Sequence, residues 1–369
     1  MPIYVVPEMS IYAISCGGTG GHISPGIAIA EELTQRNQKC LLLVSEKTID
    51  GVMLKKYGNF ESMTLSAKPF SKNPKKFWQF IKAQARSFFE CIKLIRKRNI
   101  DCVIGMGGFT SVPIVLAAFV LRKKIVLHES NRIVGKSIRI LSHLADMIFL
   151  PEGIELNGKF LSQKTIHAPI PLRREMRKIN KSEARKILNL SEDGFLLTVL
   201  GGSQGAEALN EWAMQNIEKL NSQGVAVCCI RGIKSHGNKL VEGKSSSGET
   251  VRNVFLPFCD DMHVLLSATD LLLCRAGAGT IAEAMFFSLP MILVPYPNSA
   301  DNHQEANAMY AAEKGSAFII HQDNIELLAG VILESFKKNL KNFKIDRVSS
   351  KKGPDVKIIV DRIQKISRS

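Results

Sequence analysis

Short runs of Val, Ile and Leu recur along the chain and alternate with longer segments that repeat apolar residues at helical spacing. Each run is almost continuously apolar, which is typical of strands covered on both faces of a parallel sheet. The runs occupy residues 11–16, 39–45, 101–106, 124–129, 146–150 and 165–168, and then 196–201, 225–231, 253–258, 270–274, 291–295 and 317–321. This alternation predicts an α/β chain with two doubly wound, Rossmann-like parallel sheets.

A segment with Pro169, Pro171 and a cluster of basic residues separates the two sets of runs. Such a composition is typical of a linker between domains. The chain is therefore predicted to contain an N-terminal domain, a linker, a C-terminal domain and a final helical segment, at residues 1–168, 169–181, 182–350 and 351–369. The final helix, with Val356, Ile359 and Ile363 at helical spacing, is expected to pack back toward the N-terminal domain.

Four glycine-rich turns directly follow predicted strands, at residues 17–21, 105–108, 201–206 and 275–280. Glycine lets the backbone approach a ligand closely, and a helix that begins after the turn presents unpaired N–H groups to an anion. Ligands of doubly wound sheets bind at the carboxyl ends of the strands. We therefore expect the four turns to line one cleft between the domains and to hold a phosphorylated ligand. An ordinary tight turn is the alternative for the first of them.

The first turn carries the most specific chemistry. Thr19 and Ile23 interrupt the G-x-G-x-x-G spacing of dinucleotide-binding folds, and no Lys-Ser/Thr pair follows as it does in a P-loop. The remaining interpretation is a diphosphate or sugar-phosphate cradle with His22 inside it. An imidazole with an unperturbed pKa of about 6.5 suits a general base near neutral pH. A structural role for His22 in orienting the turn is an equal alternative.

Other polar residues follow strands or begin helices in the same regions. Asn131 suits a sugar hydroxyl, whereas His128 and Glu129 just before it are interpreted as structural. Glu283 is predicted to lie on the first turn of a helix that begins at Thr280. There it either binds the ribose hydroxyls of a nucleotide or interacts with the helix macrodipole.

The sequence offers no evident metal or cofactor motif. No D-x-D sequence occurs, and no His, Cys and Asp cluster has the spacing of metal ligands. We therefore expect neither a metal ion nor an organic cofactor. The candidates for meeting the charge of a diphosphate are then Ser203, the amides of residues 201–206 and Arg173.

Composition and charge narrow the class of protein. The 369 residues are 45% hydrophobic and 22% charged, as in ordinary globular domains. Eight cysteines without C-x-x-C pairs indicate a reducing cytoplasmic setting. Of the net charge of +15, most lies in residues 1–170, which carry 23 Lys and Arg against 12 Asp and Glu. This excess predicts an anionic partner, and since no nucleic-acid-binding module is recognisable we do not expect nucleic acid.

A basic amphipathic segment at residues 74–98 suggests where a membrane surface would bind. Its apolar stripe consists of Phe77, Ile81, Ala85, Phe88, Ile92 and Ile95 and is expected to face the core of the domain. Its basic stripe, together with nearby aromatic residues, predicts a peripheral contact with anionic headgroups. The residues assigned to this membrane patch are Lys75, Lys76, Trp78, Lys82 and Arg86.

Several motifs in order along the chain resemble one family. They lie at residues 17–26, 105–113 (GMGGFTSVP), 128–131, 201–206 (GGSQGA), 260–262, 275–280 and 301–307. Together they resemble the GT-B-fold glycosyltransferases of peptidoglycan synthesis that add N-acetylglucosamine to lipid I and form lipid II. The resemblance spans nearly the whole chain and implies two Rossmann-like domains that face each other across a cleft.

The resemblance implies a binding site for the donor, UDP-N-acetylglucosamine. Its residues are Thr19, Gly20, Gly21, Asn131, Arg173, Ser203, Gln204, Phe258, Cys259, Ala278, Glu283 and Gln304. Among them, Glu283 is expected to bind the ribose, Ser203 and Gln204 the phosphates, and the backbone near Phe258 and Cys259 the base. The Ala278 region and Gln304 are expected to contact the N-acetylglucosamine.

The same resemblance implies that the N-terminal loops bind the lipid-linked acceptor through Gly17, Gly18, Gly107 and Gly108. His22 is then the candidate general base, with Asn131 as its catalytic neighbour. The expected location is the cytoplasmic face of the bacterial inner membrane, as a peripheral protein. Two alternatives remain open: a UDP-sugar 2-epimerase of the same fold, and a non-catalytic nucleotide-binding scaffold.

Overall fold

The chain folds into two compact units, each built around one sheet. The structure, a computed structural model, describes residues 9–71, 73–202, 205–341, 343 and 356–367. Unit 1 takes in the described residues up to Ser130, Val134–Arg173 and the C-terminal helix, and unit 2 takes in Asn131–Ile133 and the described residues from Arg174 onward. Ser203 and Gln204, assigned above to the donor phosphates, lie outside the described residues.

Unit 1 contains a seven-stranded parallel sheet in the order β3-β2-β1-β4-β5-β6-β7. Its strands are β1 (Ile11–Ser15), β2 (Lys39–Ser45), β3 (Glu61–Leu65), β4 (Cys102–Gly105), β5 (Lys124–His128), β6 (Met147–Leu150) and β7 (Thr165–His167). Its helices are α1 (Gly20–Gln35), α2 (Thr48–Lys55), α3 (Pro74–Arg98), α4 (Gly108–Val120), α5 (Lys136–Leu141) and α6 (Lys159–Ser162), with a 3-10 turn at Ser142–Leu144.

Unit 2 contains a second seven-stranded sheet, in the order β10-β11-β9-β8-β12-β13-β14. Its strands are β8 (Phe195–Leu200), β9 (Val225–Ile230), β10 (Lys239–Lys244), β11 (Thr250–Leu256), β12 (Leu271–Cys274), β13 (Met291–Leu293) and β14 (Ala317–Ile319). Its helices are α7 (Lys181–Ile187), α8 (Glu207–Gln215), α9 (Ile217–Ser222), α10 (Met262–Ala268), α11 (Ala278–Phe287), α12 (His303–Glu313) and α13 (Leu328–Lys337), with 3-10 segments at Ala300–Asn302 and Gln322–Leu327. The two-sheet α/β fold predicted from the apolar runs is therefore confirmed.

The apolar runs did not predict two of the strands, because these strands are polar and lie at the edges of their sheets. β3 and β10 flank their sheets, and most of their residues are exposed or half-buried. β10 pairs antiparallel with β11, whereas the other strand pairs of the second sheet are parallel as predicted. Only residues 245–249 join the two strands, and so short a connection makes a hairpin, whereas a parallel pair needs a crossover.

The strand order places the four glycine-rich turns in pairs. In unit 1, β1 and β4 are neighbours, and the chain winds outward from them in opposite directions. In unit 2, β8 and β12 hold the equivalent position. Crevices form at the carboxyl ends of strands where the winding direction reverses. Each unit therefore has two glycine turns at its own switch point.

Helix α3 shows a correction to the predicted apolar stripe. Phe77, Ile81 and Ala85, at the N-terminal end of the stripe, are exposed, whereas Ile95 is fully buried. The buried face of α3 contains Ser87, Cys91 and Ile95 and packs on the core beside α4. The first half of the helix therefore leaves its aromatic residues at the surface, because the core covers only the second half.

The C-terminal helix α14 (Val356–Ser367) packs on α1 within unit 1. Its fully buried Ile359, Val360 and Ile363 join the same apolar cluster as Ile27 of α1. The hydroxyl groups of Tyr12 and Ser367 are 2.8 Å apart at its end.

Candidate functional site

The turn after β1 is held by backbone contacts that only glycine permits. A Cβ on Gly17 would lie 2.4 Å from the backbone nitrogen of Ser45, and Gly18 has a φ of +108°. The amide of Gly18 donates to Asp50 Oδ2 at 2.8 Å, and its carbonyl accepts from Lys47 Nζ at 2.8 Å. Asp50 also accepts from the amide and hydroxyl of Ser45, at 2.8 and 2.6 Å. The segment after β2 therefore fixes the turn on both sides.

His22 lies against the second glycine turn of unit 1. A Cβ on Gly107 would lie 3.4 Å from His22 Nε2, and one on Gly108 would lie 3.1 Å from Cε1. Both glycines have positive φ, of +92° and +72°. Nδ1 of His22 lies 3.2 Å from the Thr19 hydroxyl, and Thr110 donates to the Gly17 carbonyl at 3.1 Å. The predicted acceptor glycines and His22 therefore form one cluster at the starts of α1 and α4.

The electrostatics of this cluster favour neutral imidazoles. Burial lowers the pKa of His22 below its ordinary value of 6.5, and the nearby Lys47 lowers it further. The carboxylates Glu129 and Asp50 and a hydrogen bond with the Gly17 backbone act in the opposite direction. Burial, followed by the nearby His22, lowers the pKa of His128 to about 4. At neutral pH, His128 is therefore uncharged behind His22.

Glu129 has the structural role predicted for it. Its carboxylate accepts hydrogen bonds from the amide of Ser130 at 2.9 Å and from the amide of Gly135 at 2.8 Å. These bonds fix the loop between β5 and α5. Within this loop the backbone of Gly135 lies close to the carboxylate of Glu129. A Cβ on Gly135 would lie 3.3 Å from Oε2 of Glu129.

Unit 2 contains a cleft of about 1230 Å³ at its own switch point. Its walls are Gly201, Gly202, Gly205, Ala206, Glu207, Ala208, Asn210, Glu211, Arg231, Lys234, Ser235, Arg275, Gly277, Thr280, Tyr296, Gln304 and Gln322. Both glycine turns of the unit and the starts of α8 and α11 therefore open into one space. Helix starts present amides that have no partner within the helix, which suits an anionic ligand.

The glycine turn after β8 packs directly on the backbone after β9. A Cβ on Gly205 would lie 2.1 Å from the carbonyl oxygen of Arg231, and one on Gly201 would lie 2.1 Å from the amide of Ala206. Gly205 also has a φ of +81°. No larger residue fits at Gly201 or Gly205 without moving the backbone.

Arg275 fixes the opposite wall of this cleft. It is 9% exposed, and its guanidinium donates to the carbonyls of Val294 and Pro295 at 3.1 and 3.3 Å and to Gln322 Oε1 at 2.5 Å. The same group lies 5.5 Å from the ring centroid of Tyr296. Arg275 therefore holds the loop after β13 in place.

The structure brings only part of the predicted donor set to the cleft walls. Gln304 lines the cleft, and its Oε1 accepts from the amide of Tyr296 at 2.9 Å. Ala278 begins α11 beside the lining residue Gly277. Helix α11 begins at Ala278 rather than Thr280, so Glu283 lies on its second turn and not on its first as predicted.

Other predicted donor residues lie apart from the cleft walls. Phe258 and Cys259 follow β11 and are half-buried, and neither they nor Glu283 are among the described residues that line the cleft. Arg173 belongs to unit 1, where it is 9% exposed and donates to the Tyr57 hydroxyl at 3.1 Å. The assignments of these residues to the donor stay predictions, as do those of Thr19, Gly20 and Gly21.

Asn131 belongs to unit 2 by its contacts. The side-chain amide of Asn307 on α12 donates to Asn131 Oδ1 at 3.2 Å, and Asn307 Oδ1 accepts from the amide of Arg132 at 2.9 Å. The Arg132 guanidinium lies 4.2 Å from the ring centroid of Tyr310. Asn307 follows Gln304 by one turn of α12, so Asn131 and Gln304 are attached to the same helix.

Sequence reasoning missed several of these residues. Arg231, Arg275 and Tyr296 shape the cleft, and Asn307 orients Asn131, yet none was assigned a role. In the sequence, Arg231 ends the apolar run 225–231, and Arg275 begins the glycine-rich turn 275–280. The structure adds that each follows a strand that pairs with β8. The contacts of Asn307 join residues that are distant in sequence and have no local pattern.

The two doubly wound units, each with paired glycine turns at its switch point, define the chain as a GT-B glycosyltransferase. Models of the glycosyltransferase family 28 N-terminal and C-terminal domains match residues 12–150 and 196–360. The fold is similar to that of MurG from Acinetobacter baumannii, with a TM-score of 0.70 at 21% identity over 97% of this chain and 99% of that one.

Relatives with higher sequence identity are also glycosyltransferases. A UDP-N-acetylglucosamine–N-acetylmuramyl-(pentapeptide) pyrophosphoryl-undecaprenol N-acetylglucosamine transferase from Opitutus terrae is 36% identical over 93% of this chain and 92% of its own length. A protein of the same name from Prochlorococcus marinus is also 36% identical, over 90% of each chain. The chain belongs to glycosyltransferase family 28, with these N-acetylglucosamine transferases.

The close approach at Gly205 predicts a large effect of a single methyl group. We expect Gly205→Ala to displace the turn after β8 and to weaken UDP binding by at least tenfold. Gly224→Ala is the matched control, because Gly224 has a similar φ of +79°, no described atom within 4 Å of its added Cβ, and no place among the residues that line the cleft. The control carries only the strain of a left-handed alanine, about 1 kcal/mol.

Calorimetric titration with UDP measures both variants, and the fluorescence of Trp212 in a Trp78→Phe background follows unfolding of unit 2. Equal losses of UDP affinity in Gly205→Ala and Gly224→Ala would show that the backbone contact with Arg231 does not shape the site.

Proposed function

We propose that the chain transfers N-acetylglucosamine from UDP-N-acetylglucosamine to the 4-hydroxyl of the MurNAc residue of undecaprenyl-diphosphoryl-MurNAc-pentapeptide, lipid I. The product is lipid II, and the reaction inverts the anomeric configuration. The observation that carries the proposal is a pair of glycine turns at helix starts in each unit, with His22 packed against Gly107 and Gly108 in unit 1. Each pair is proposed to be a cradle for an anion. The substrates for which the relatives are named support this choice.

The cleft of unit 2 is proposed to bind the donor. The starts of α8 and α11 offer amides to the diphosphate. Gln304 lies on α12, and Asn307 of the same helix holds Asn131 by a hydrogen bond, on the side proposed for the sugar. Glu283 is proposed to bind the ribose hydroxyls. Amides held rigidly by close backbone contacts stabilise charge on a leaving group without reorganising during the reaction.

The cradle of unit 1 is proposed to bind the diphosphate of the acceptor and to supply the base. In the tautomer that carries its proton on Nδ1, His22 donates to the Thr19 hydroxyl, and Nε2 is the basic nitrogen. Nε2 takes the proton from the acceptor hydroxyl as the oxygen forms its bond to the anomeric carbon. The bond from that carbon to the diphosphate breaks, and UDP leaves with the electron pair.

The direct test is transfer of radiolabel from UDP-N-acetylglucosamine to a short-chain lipid I analogue. We expect acceptor-dependent transfer that Glu283→Ala abolishes. His22→Ala is expected to lower the rate by about 10²- to 10⁴-fold, as for loss of a general base. His143→Ala and Glu313→Ala, at exposed positions, are controls that should retain the wild-type rate.

Two results would contradict the proposal. Conversion of the donor to its 2-epimer without acceptor would indicate an epimerase of the same fold. UDP binding without any transfer would indicate a nucleotide-binding scaffold.

The environment of His22 predicts the pH dependence of the reaction. Only the neutral imidazole accepts a proton, so the rate rises with pH through the pKa of His22 and is constant above it. Because burial holds this pKa below 6.5, the midpoint of the acidic limb of kcat/KM is expected below pH 6.5. Lys47→Met removes a charge that lowers the pKa, so its limb should move to higher pH.

Asp50→Asn removes a charge that raises the same pKa, and its limb should move to lower pH. The remaining charged and titratable groups near His22, Glu129 and His128, are unchanged in both variants. An acidic limb that is unmoved in both variants, or that persists in His22→Ala, would assign the titration to another group.

We also propose that the start of α3 binds an anionic membrane surface. No helix in the described part of the chain has the length and apolarity needed to cross a bilayer. Phe70 and Trp78 are 63% and 65% exposed, and Phe77 lies between them with ring-centroid distances of 6.0 and 6.2 Å. Lys75 and Lys76 follow Asn73, whose side chain accepts hydrogen bonds from both of their amides.

Two further cations lie on the same helix. Lys82 and Arg86 are exposed, and Arg86 pairs with Glu90 at 2.9 Å. Aromatic rings at the level of the headgroups and cations above them are typical of interfacial helices. Each cation near an anionic surface contributes on the order of 1 kcal/mol, and the contribution of Arg86 is reduced by its pairing with Glu90. The three lysines and the exposed aromatic rings are therefore proposed to supply most of the attraction.

Vesicle co-sedimentation tests this proposal with vesicles of phosphatidylglycerol and phosphatidylcholine. Reversal of Lys75, Lys76, Lys82 and Arg86 to Glu is expected to lower the partition coefficient of the protein onto the vesicles by about 100-fold or more at low salt. The matched control reverses four exposed lysines elsewhere, at positions 219, 337, 341 and 357. If the control loses as much binding as the α3 variant, net charge rather than this patch attracts the protein.

A further inference from the structure

Arg231 of unit 2 lies at the end of β9, against the glycine turn that follows β8. It directly follows β9, which pairs with β8, the strand that leads into the glycine turn. Its amide donates to the Leu256 carbonyl at 2.8 Å, and its carbonyl accepts from Asn210 Nδ2 on α8 at 2.9 Å. The same carbonyl is the atom that a Cβ on Gly205 would strike. The backbone of Arg231 is therefore fixed to the turn itself.

The side chain of Arg231 is oriented by the loop that follows it. Its Nη2 donates to the carbonyls of His236 and Gly237, at 3.0 and 2.5 Å. Its Nε is buried and has no hydrogen-bond partner among the described residues. The residue is half-buried and lines the cleft. One edge of the guanidinium is therefore held by protein, whereas Nη1 is neither buried in this way nor hydrogen-bonded to any described residue, and the side chain lines the cleft.

No other cation of the described cleft lining is oriented toward an anionic ligand by the contacts of its side chain. The guanidinium of Arg275 donates hydrogen bonds to Val294, Pro295 and Gln322, so it holds the protein rather than a ligand. Lys234 is exposed, and a flexible ammonium group there is not oriented by any described contact. Glu207 and Glu211 add negative charge to the lining, which makes a cation more necessary for a dianionic or trianionic ligand.

We infer that Arg231 is a donor-binding residue that pairs with the diphosphate of the nucleotide sugar and stays with it as the UDP leaves. The inference deepens the proposed function, on which it rests for the identity of the donor. A guanidinium suits this task because its planar, permanently charged fork matches phosphate oxygens. Arg231 supplies the cation within unit 2 that the sequence expectation assigned to Arg173.

Calorimetric titration of the full chain with UDP, UMP and uridine tests the role of Arg231. Arg231→Gln is expected to weaken UDP binding at least tenfold, UMP binding less, and uridine binding not at all. Arg231→Lys keeps the charge without the fork and is expected to lie between. Arg252→Gln is the control, because Arg252 is an exposed arginine on β11 that is paired with Glu242.

The possible outcomes separate the two proposals. Equal losses for UDP and uridine in both Arg231 variants would mean that Arg231 only holds the loop, and unchanged UDP affinity would exclude any role; either result overturns the inference. If UDP binding depends on Arg231 but no label reaches the lipid I analogue, the inference stands and the proposed function fails. A wild-type chain that binds no UDP overturns both.

Discussion

The sites depend on the approach of one backbone to another at a distance that leaves no room for a side chain. At Gly17 a Cβ would reach the amide of Ser45, and at Gly205 it would reach the carbonyl of Arg231. These contacts fix the turns at the starts of the helices that follow, which are the places proposed to bind phosphate groups. Because the amides are fixed before the ligand binds, the sites do not lose free energy by ordering them.

Sheet topology explains why these turns lie where they do. β1 and β4 are neighbours in one sheet, and β8 and β12 are neighbours in the other, at the points where winding reverses. The two units use this shared plan for different chemistry. Unit 1 adds a half-buried imidazole against Gly107 and Gly108, whereas unit 2 adds cations and the polar residues of α12.

Much of this was predictable from the sequence because its signals are local. Continuous apolar runs mark strands buried on both faces, and glycines directly after them mark the turns at the strand ends. The same reasoning missed β3 and β10, since short polar edge strands have no apolar run. It also misplaced the first half of α3, because helical spacing identifies an apolar face but not what covers it.

The parts that escaped prediction are contacts between residues distant in sequence. Asp50 holds Gly18 across 32 positions, and Asn307 reaches Asn131 across 176. Arg231 lies beside the glycine turn after β8 only because β9 pairs with β8 in the folded sheet. The guanidinium of Arg173 donates to the Tyr57 hydroxyl across 116 positions within unit 1, a contact that no local pattern predicts, and its assignment to the donor stays a prediction. No local pattern encodes which elements become neighbours.

Hydrogen exchange measured by mass spectrometry tests most directly whether each unit carries its own diphosphate cradle. UDP alone is expected to slow exchange in peptides that contain residues 201–206 and 275–280 and to leave 105–111 unchanged. A short-chain lipid I analogue is expected to slow exchange at 17–18 and 105–111 and to leave 201–206 unchanged. Protection of the same peptides by both ligands, or of none of the glycine turns by either, would contradict the account.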